Sequence, residues 1–320
     1  MANRDIMLEL LIVVAILSLI AYSLHYNSTQ TSIPRGTRVN TTSTTSITSN
    51  TPPIGKGGGR INFSVIRLGD ACRFIESQEA DHLGLVVAAK EGSGVDSTRI
   101  YLLHDNYLAM HALETCNSSL AWRINESLGR YNVTGDPRYG VLFGYPYMYA
   151  IPLGNHTYPV KDIFVDGRNL TIMIDNISSR YPLKNWLEYV DWVELMGIND
   201  LLKGNYTGSL KLYFTLMDKW DGYGFTDKTS GNKNGYDLYK LALAVYYYRA
   251  LENCGFKVDN SFLNKALTIL KDMQGKDGGF HTGYLVKNGA IVPLGGENVE
   301  TTSLVIISLY QNPPVCSNNQ

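Results

Sequence analysis

Three acidic residues stand where an apolar, helix-patterned segment begins. Asp105 precedes "NYLAMHAL", Asp237 precedes "LYKLALAVYYY", and Glu300 opens "TTSLVIISL". Glu297 lies just ahead of Glu300, and Asp221, Asp227 and Asp277 fall in the glycine-rich stretches upstream. Tyr107, Trp220, Tyr223, Tyr236, His281 and Tyr284 are near them in sequence. Glycan cleavage uses such a set. It needs one protonated acid for the leaving oxygen, an ionised partner for water or the anomeric carbon, and flat rings to hold sugars. On this reading Asp237, Glu297 and Glu300 are the candidate catalytic acids. Asp105, Tyr107, Tyr223, Tyr236, His281 and Tyr284 are the candidate substrate-binding residues.

Each assignment has a plainer reading. Asp is a favoured N-cap, and negative charge suits a helix start, which would account for Asp105 and Asp237 without catalysis. Glu is a poor cap, so Glu297 and Glu300 are less readily explained. The tyrosines and Trp220 also suit packing between helices. His104 and His111 are seven residues apart with no third ligand nearby in sequence, and no CxxC or Cys/His spacing is present. Neither a metal nor another cofactor is therefore expected.

The elements that must position these residues repeat. "LMDKWDGYGFTD" leads to "GYDLYKLALAVYYY", and "LKDMQGKDGGFHTG" leads to "NVETTSLVIISL". In each, an amphipathic helix ends in Asp-Gly, then Gly and Phe, and a polar loop precedes an apolar helix. Asp221 and Asp277 are 56 residues apart, the length of one helical hairpin per repeat. "ADHLGLVV" before "HDNYLAMHAL" and "GDPRYGVLFG" before "PYMYAI" are fainter copies. Gly allows the sharp turn, and Phe225 and Phe280 are expected to plug between hairpins. "AVYYYRAL" and "SLVIISL" are apolar almost all round, the pattern of helices buried on several faces. "PLKNWLEYVDWVELMGINDLL", "SLKLYFTLMDKW" and "SFLNKALTILKDMQ" also carry helical spacing. "LGLVVAA", "RIYLL" and "NLTIMI" are short enough for strands.

The run helix, Q-x-x-x-G-G-F, loop, helix resembles the hairpin joint of α/α-toroid folds, the group of terpenoid cyclases and six-hairpin glycosidases. Gln274, Gly278 and Phe280 carry the likeness, which spans at most Ile61–Leu309. It implies a mainly α domain, an α/α toroid of six hairpins or fewer. The D-x-D-D of protonating cyclases, a prenyltransferase zinc set and a thioester Cys-Gly-Glu-Gln are all absent. A likeness of fold supplies no chemistry by itself.

The ends of the chain suggest where it works. Ile6–Leu24 is nearly all apolar and just long enough to span a bilayer, with Arg4 ahead of it. Residues 1–26 are read as a single-pass signal anchor, N-terminus inside; a cleaved signal peptide is the alternative. "LELLIVVAILSLIA" also resembles the first helix of type IV pilins, although Arg4 replaces the Gly of their processing site. Residues 27–60, rich in Ser and Thr and ending in "GKGGGR", form a stalk with almost nothing to bury. Residues 61–312 form the extracellular domain and 313–320 a tail.

Ten N-x-S/T sites, at Asn27, Asn40, Asn62, Asn117, Asn125, Asn132, Asn155, Asn169, Asn176 and Asn205, fit an external, glycosylated chain. Cys72, Cys116, Cys254 and Cys316 suggest two disulfides. Of three possible pairings, Cys72–Cys116 and Cys254–Cys316 are favoured because each joins one end of the chain. The net charge of −1 offers no footprint for nucleic acid. Tyrosine, at 22 of 320 residues, suits sugar binding. The expectation is a membrane-anchored surface protein that cleaves a glycan, as a hydrolase or lyase. A non-catalytic module that binds glycan or protein at the surface is the alternative.

Overall fold

The computed structural model describes residues 63–79, 83–88, 100–132, 138–165, 168–229 and 235–316. The expected anchor and stalk, with Asn27, Asn40 and Asn62, lie outside the described residues. Eight α-helices are present among the described residues: α1 (Leu68–Ser77), α2 (Leu103–Thr115), α3 (Ser119–Arg130), α4 (Val190–Leu202), α5 (Tyr206–Met217), α6 (Leu238–Asn253), α7 (Leu263–Asp272) and α8 (Val299–Tyr310). None is long and apolar enough to cross a membrane.

Even- and odd-numbered helices differ in kind. α1, α3 and α7 bury one stripe, such as Ala71, Phe74 and Ile75 of α1. α2, α4, α6 and α8 are buried on nearly every side. A helix apolar all round must be enclosed, and these four form a row in which α4 packs on α6, α6 on α8 and α8 on α2. The others cover the row: α1 lies on α8 and α2, α3 on α2, α5 on α4, and α7 on α6. At the ends of the row a 3-10 turn, Gly140–Phe143, binds to both α2 and α4 through its own side chains and the segment that follows. Phe143 stacks on His111 of α2 with ring centroids 3.7 Å apart. Tyr246 of α6 donates to the Leu142 carbonyl at 2.5 Å, and Asn199 of α4 accepts from the Tyr147 amide at 2.8 Å. The segment read as a faint fourth joint is thus a core-filling turn. A closed toroid remains a proposal; the row and its turn are what the contacts give.

The two clear copies of the joint share a backbone. Isolated β-bridges pair Trp220 with Phe225 and Gln274 with Phe280. Gly222 and Gly278 take φ of +95° and +104°. A third copy pairs Glu79 with Val86 around Gly84 at +65°. Each copy leads to a strand that becomes a helix without a loop: β1 (Ile100–Leu102) into α2, β4 (Gly235–Asp237) into α6, and β6 (Ala290–Asn298) into α8. The glycines of "GGF" are fixed by close approach. A side chain at Gly278 would overlap the Asp70 carbonyl, and one at Gly279 the Phe74 ring, so α1 lies directly on the turn. Gln274 clamps both sides, donating to the Arg67 and Gly278 carbonyls at 3.0 Å and accepting from the Arg67 amide at 2.9 Å. Phe225 and Phe280 are buried.

Two sheets complete the fold. β2 (Leu153–Val165) and β3 (Arg168–Pro182) are antiparallel, with β1 parallel to β3. "RIYLL" thus supplies β1 and "NLTIMI" falls within β3, whereas the described residues of "LGLVVAA" give the Val86 bridge and no longer strand. β5 (Phe280–Lys287) pairs with β6 and β4. The sequence reading put a polar loop between Phe280 and Glu297; the structure has a hairpin there. Asn288 and Gly289 turn it, both at positive φ, which an Asn-Gly pair adopts readily.

The disulfides are Cys72–Cys116 and Cys254–Cys316, with Cα separations of 6.4 and 5.2 Å. Cys116 and Cys254 are the C-caps of α2 and α6, so both bonds sit at the ends of these helices away from their starts. Pro313 and Val315 are buried and Cys316 is bonded, which carries the packed domain past the expected limit of 312. Asn117, Asn125, Asn132 and Asn205 are exposed. The Asn205 side chain also caps α5 and donates to Asp200.

Candidate functional site

The four row helices begin alike. Their first residues, Leu103, Val190, Leu238 and Val299, are apolar and buried. Their second residues, His104, Asp191, Tyr239 and Glu300, are polar. Burial of the first residue fixes each start, and the strand-to-helix joints hold three of the four in register. The second residues are drawn together by Arg138 and Tyr139, just before the 3-10 turn. Arg138 donates to Asp191 Oδ2 at 2.6 Å, with side-chain exposures of only 15% and 9%. The Tyr239 hydroxyl donates to the same oxygen at 3.4 Å. The Tyr139 hydroxyl donates to Glu300 Oε1 at 2.6 Å. His104 Nε2 lies 3.0 Å from Asp105 Oδ1, and donor atoms of His104, Asp105 and Glu300 all lie within 4.8 Å of one another.

Burial sets the electrostatics here. It pushes the phenols of Tyr139 and Tyr239 well up. Arg138 opposes this in both, while Glu300 adds to it in both and Asp191 in Tyr239. Both therefore remain neutral donors. Burial works against the Arg138 charge, but Tyr139, Asp191, Tyr239 and Glu300 more than offset it. Glu194, one turn beyond Asp191, is fully buried, and neither of its oxygens has a hydrogen-bond partner among the described residues. Burial and Asp191 push its carboxyl well above the ordinary range, against the pull of Lys240.

Lys240 forms the neighbouring cluster. Its ammonium is 2.7 Å from both Asp227 Oδ2 and Asp237 Oδ2, and 2.5 Å from Thr229 Oγ1. Burial opposes its charge, but the two carboxylates raise its pKa overall. Asp227 also accepts from the Val190 amide at 3.1 Å, tying the start of α4 to that of α6.

Comparison with protein-family models, with curated proteins and with solved structures finds no match. The chemistry must be argued from the cluster alone.

The residues singled out in the sequence divide into three groups. Glu300 and Asp105 lie in the cluster. Asp237 sits at its edge: it precedes α6 without capping it, and its half-exposed carboxylate turns to Lys240. Glu297 lies apart, 3.7 Å from His281 Nε2 and filling the space that a side chain at Gly275 would need. His281 Nδ1 bonds the Gly295 carbonyl at 2.9 Å. Tyr236 and Tyr284 stack in the core, their hydroxyls donating to Asp221 and to the Tyr223 carbonyl. Tyr223 lies beneath Lys265. Tyr107 packs on His111 and Phe143. Nor is Asp105 a cap: it lies inside the first turn of α2, and Asn298, not Glu300, caps α8.

Sequence reasoning missed His104 as a site residue, together with Arg138, Tyr139, Asp191, Glu194, Tyr239 and Lys240. A usable signal existed for two of them. Asp191 and Glu194 interrupt the otherwise apolar "YVDWVELMG" of α4, and acids on a helix buried all round need a reason.

Proposed function

We propose that this chain is a membrane-anchored, N-glycosylated surface protein whose helical domain cleaves glycans, as a hydrolase or lyase, at the starts of the row helices. One observation carries the reading: four helices place their second residues, Asp191 buried and the other three partly buried, in a single polar cluster. Burying so many charges opposes folding unless they are fully paired, so such a cluster points to function. Asp191 and Glu300 come from different helices, each receives a tyrosine hydroxyl, and Arg138–Tyr139 lies between them. Two carboxylates with neutral donors beside them suit a glycosidic bond. Arg138 would bring positive charge next to an acidic sugar.

The test is a turnover screen on neutral and uronate-containing polysaccharides. Asp191→Asn and Glu300→Gln should each lower turnover by at least about 100-fold, while Glu297→Gln leaves it near wild type. Binding without turnover would favour the non-catalytic module. Loss confined to Glu297→Gln would move the site to the β5–β6 hairpin.

The location has its own test. Protease added to intact cells should release a glycosylated fragment beginning beyond residue 26. A domain that stays protected and carries no glycan overturns the surface assignment.

A further inference from the structure

We propose that His104, Asp105 and Glu300 bind a divalent transition-metal cation. This goes beyond the glycan reading, and its test needs no glycan. The sequence argued against a metal because His104 and His111 lacked a third ligand. The fold supplies different partners. His111 faces Glu114 and stacks on Phe143, whereas His104 meets Asp105 and, across the α2–α8 contact, Glu300.

Geometry is the first support. Donors about 2.0–2.2 Å from one ion stand roughly 3–4.4 Å from each other. The three donor atoms here already lie within 4.8 Å of one another, so small side-chain shifts close the site. The two helices that carry them pack directly together, and β1 and β6 run straight into their starts. The ligands are therefore held by rigid elements.

The surroundings are the second support. Tyr139 donates to Glu300 Oε1 at 2.6 Å, the kind of outer-shell bond that orients a ligating carboxylate. Side chains of His104 and Asp105 are 12% and 2% exposed, so bulk water screens them little. Two carboxylates this close, one buried and one partly buried, call for positive charge. The Arg138 guanidinium acts on Glu300 through its charge and donates a hydrogen bond to Asp191. A dication held by the three donors would supply such charge. A proton shared between the carboxylates would also relieve their repulsion, but it would not need an imidazole as third donor.

One imidazole and two carboxylates suit Zn²⁺, Mn²⁺ or Fe²⁺ better than a soft ion such as Cu⁺. Three protein ligands leave coordination positions for water or substrate. With the cation bound, Glu300 serves as a ligand, and Asp191 becomes the main acid–base candidate of the glycan reading.

The experiment uses the full chain in detergent, stripped with a chelator and then equilibrated separately with Zn²⁺ and Mn²⁺. Bound metal is measured by mass spectrometry and thermal stability by scanning fluorimetry. Wild type should retain about one ion per chain and melt a few degrees higher with metal, since a ligand that binds only the folded state stabilises it. His104→Ala and Glu300→Gln should each lose the ion and the shift; His111→Ala should keep both. If His104→Ala fails to fold, Glu300→Gln and the visible spectrum of the Co²⁺-loaded wild type decide, an imidazole–carboxylate site being expected. No retained ion in wild type, or equal retention in wild type and Glu300→Gln, overturns the proposal. The glycan reading would survive that result if turnover persists in the chelator and still depends on Asp191.

Discussion

Replacing Lys240 with alanine should cost the domain about 3–5 kcal/mol, the range for breaking a buried ion pair from one side. Lys240 and Asp227 are almost completely buried, and their bond joins the 220–229 joint to the first turn of α6. Without the ammonium, Asp227 keeps the Thr229 hydroxyl and the Val190 amide but has lost its buried counter-charge. Asp227→Asn in the wild-type background should be costly too, because it leaves the buried ammonium with the half-exposed Asp237 as its carboxylate partner. The double variant Lys240→Met, Asp227→Asn should recover much of the loss, since the carboxylate left without the ammonium, Asp237, is half-exposed to water. Denaturant titration of the purified single and double variants forms the cycle. Single variants as stable as wild type would mean that the pair is solvated in solution.

Acid should act on the same pair. Burial would raise the Asp227 pKa, but the Lys240 bond and charge, Thr229 and the Val190 amide together hold it well below the ordinary carboxylate range. A depressed folded-state pKa contributes stability that is present above the unfolded value, about 3.9, and is lost as pH falls toward the folded one. The stability gap between wild type and Asp227→Asn should therefore narrow below about pH 4. Lys240 has the opposite sign. Its raised pKa contributes stability below the unfolded value, about 10.4, and loses it as pH rises through the folded one.

Removing either disulfide should be nearly as damaging. The bonds close segments of 44 and 62 residues. Loop entropy alone gives about 4 kcal/mol for each, and losses of about 2–5 kcal/mol are typical. The two lengths differ too little to separate the bonds; their positions do so. Cys72–Cys116 joins α1 to the end of α2, so Cys116→Ser should loosen the helix that supports the Gly278 turn. Cys254–Cys316 staples the chain after α8, where Val315 is buried and Gln311 bonds the His111 carbonyl. Cys316→Ser should open that segment to protease before the rest. Melting curves of the serine variants, with thiol labelling of the unreduced wild type, check both claims. Free thiols in wild type, or serine variants with unchanged melting, would show that the bonds do not form.

The sequence showed most where one residue type answers one physical need. "DGYGF" and "GKDGGF" marked joints because positive φ and close backbone approach require glycine. The helices "AVYYYRAL" and "SLVIISL" read as enclosed because they have no polar face. The β5–β6 hairpin was missed although its signal was present. Asn288–Gly289 separates "GYLV" from "AIVPL", but the alternation on either side is poor. The cluster was harder to see. Glu300 stood out as an acid that caps badly, whereas Asp191 and Tyr239 matter through a register that depends on helix starts good to a single residue. Arg138 and Tyr139 reach the cluster only because a turn between two sheet-bearing segments folds back into the core, which no local pattern encodes.

The shared start of the row helices also bears on ancestry. Leu103, Val190, Leu238 and Val299 tie the scaffold to a buried first residue, which leaves the second free to differ from helix to helix. A duplicated hairpin would inherit the anchor along with one open place in the cluster. Histidine, aspartate, tyrosine and glutamate could each have entered such a place by a separate substitution, without disturbing the packing beneath. Lineages built in this way would exchange reactivity one helix at a time while the hydrophobic register stayed put. Their kinship would persist longest in the glycine turns and fade first among the four second residues.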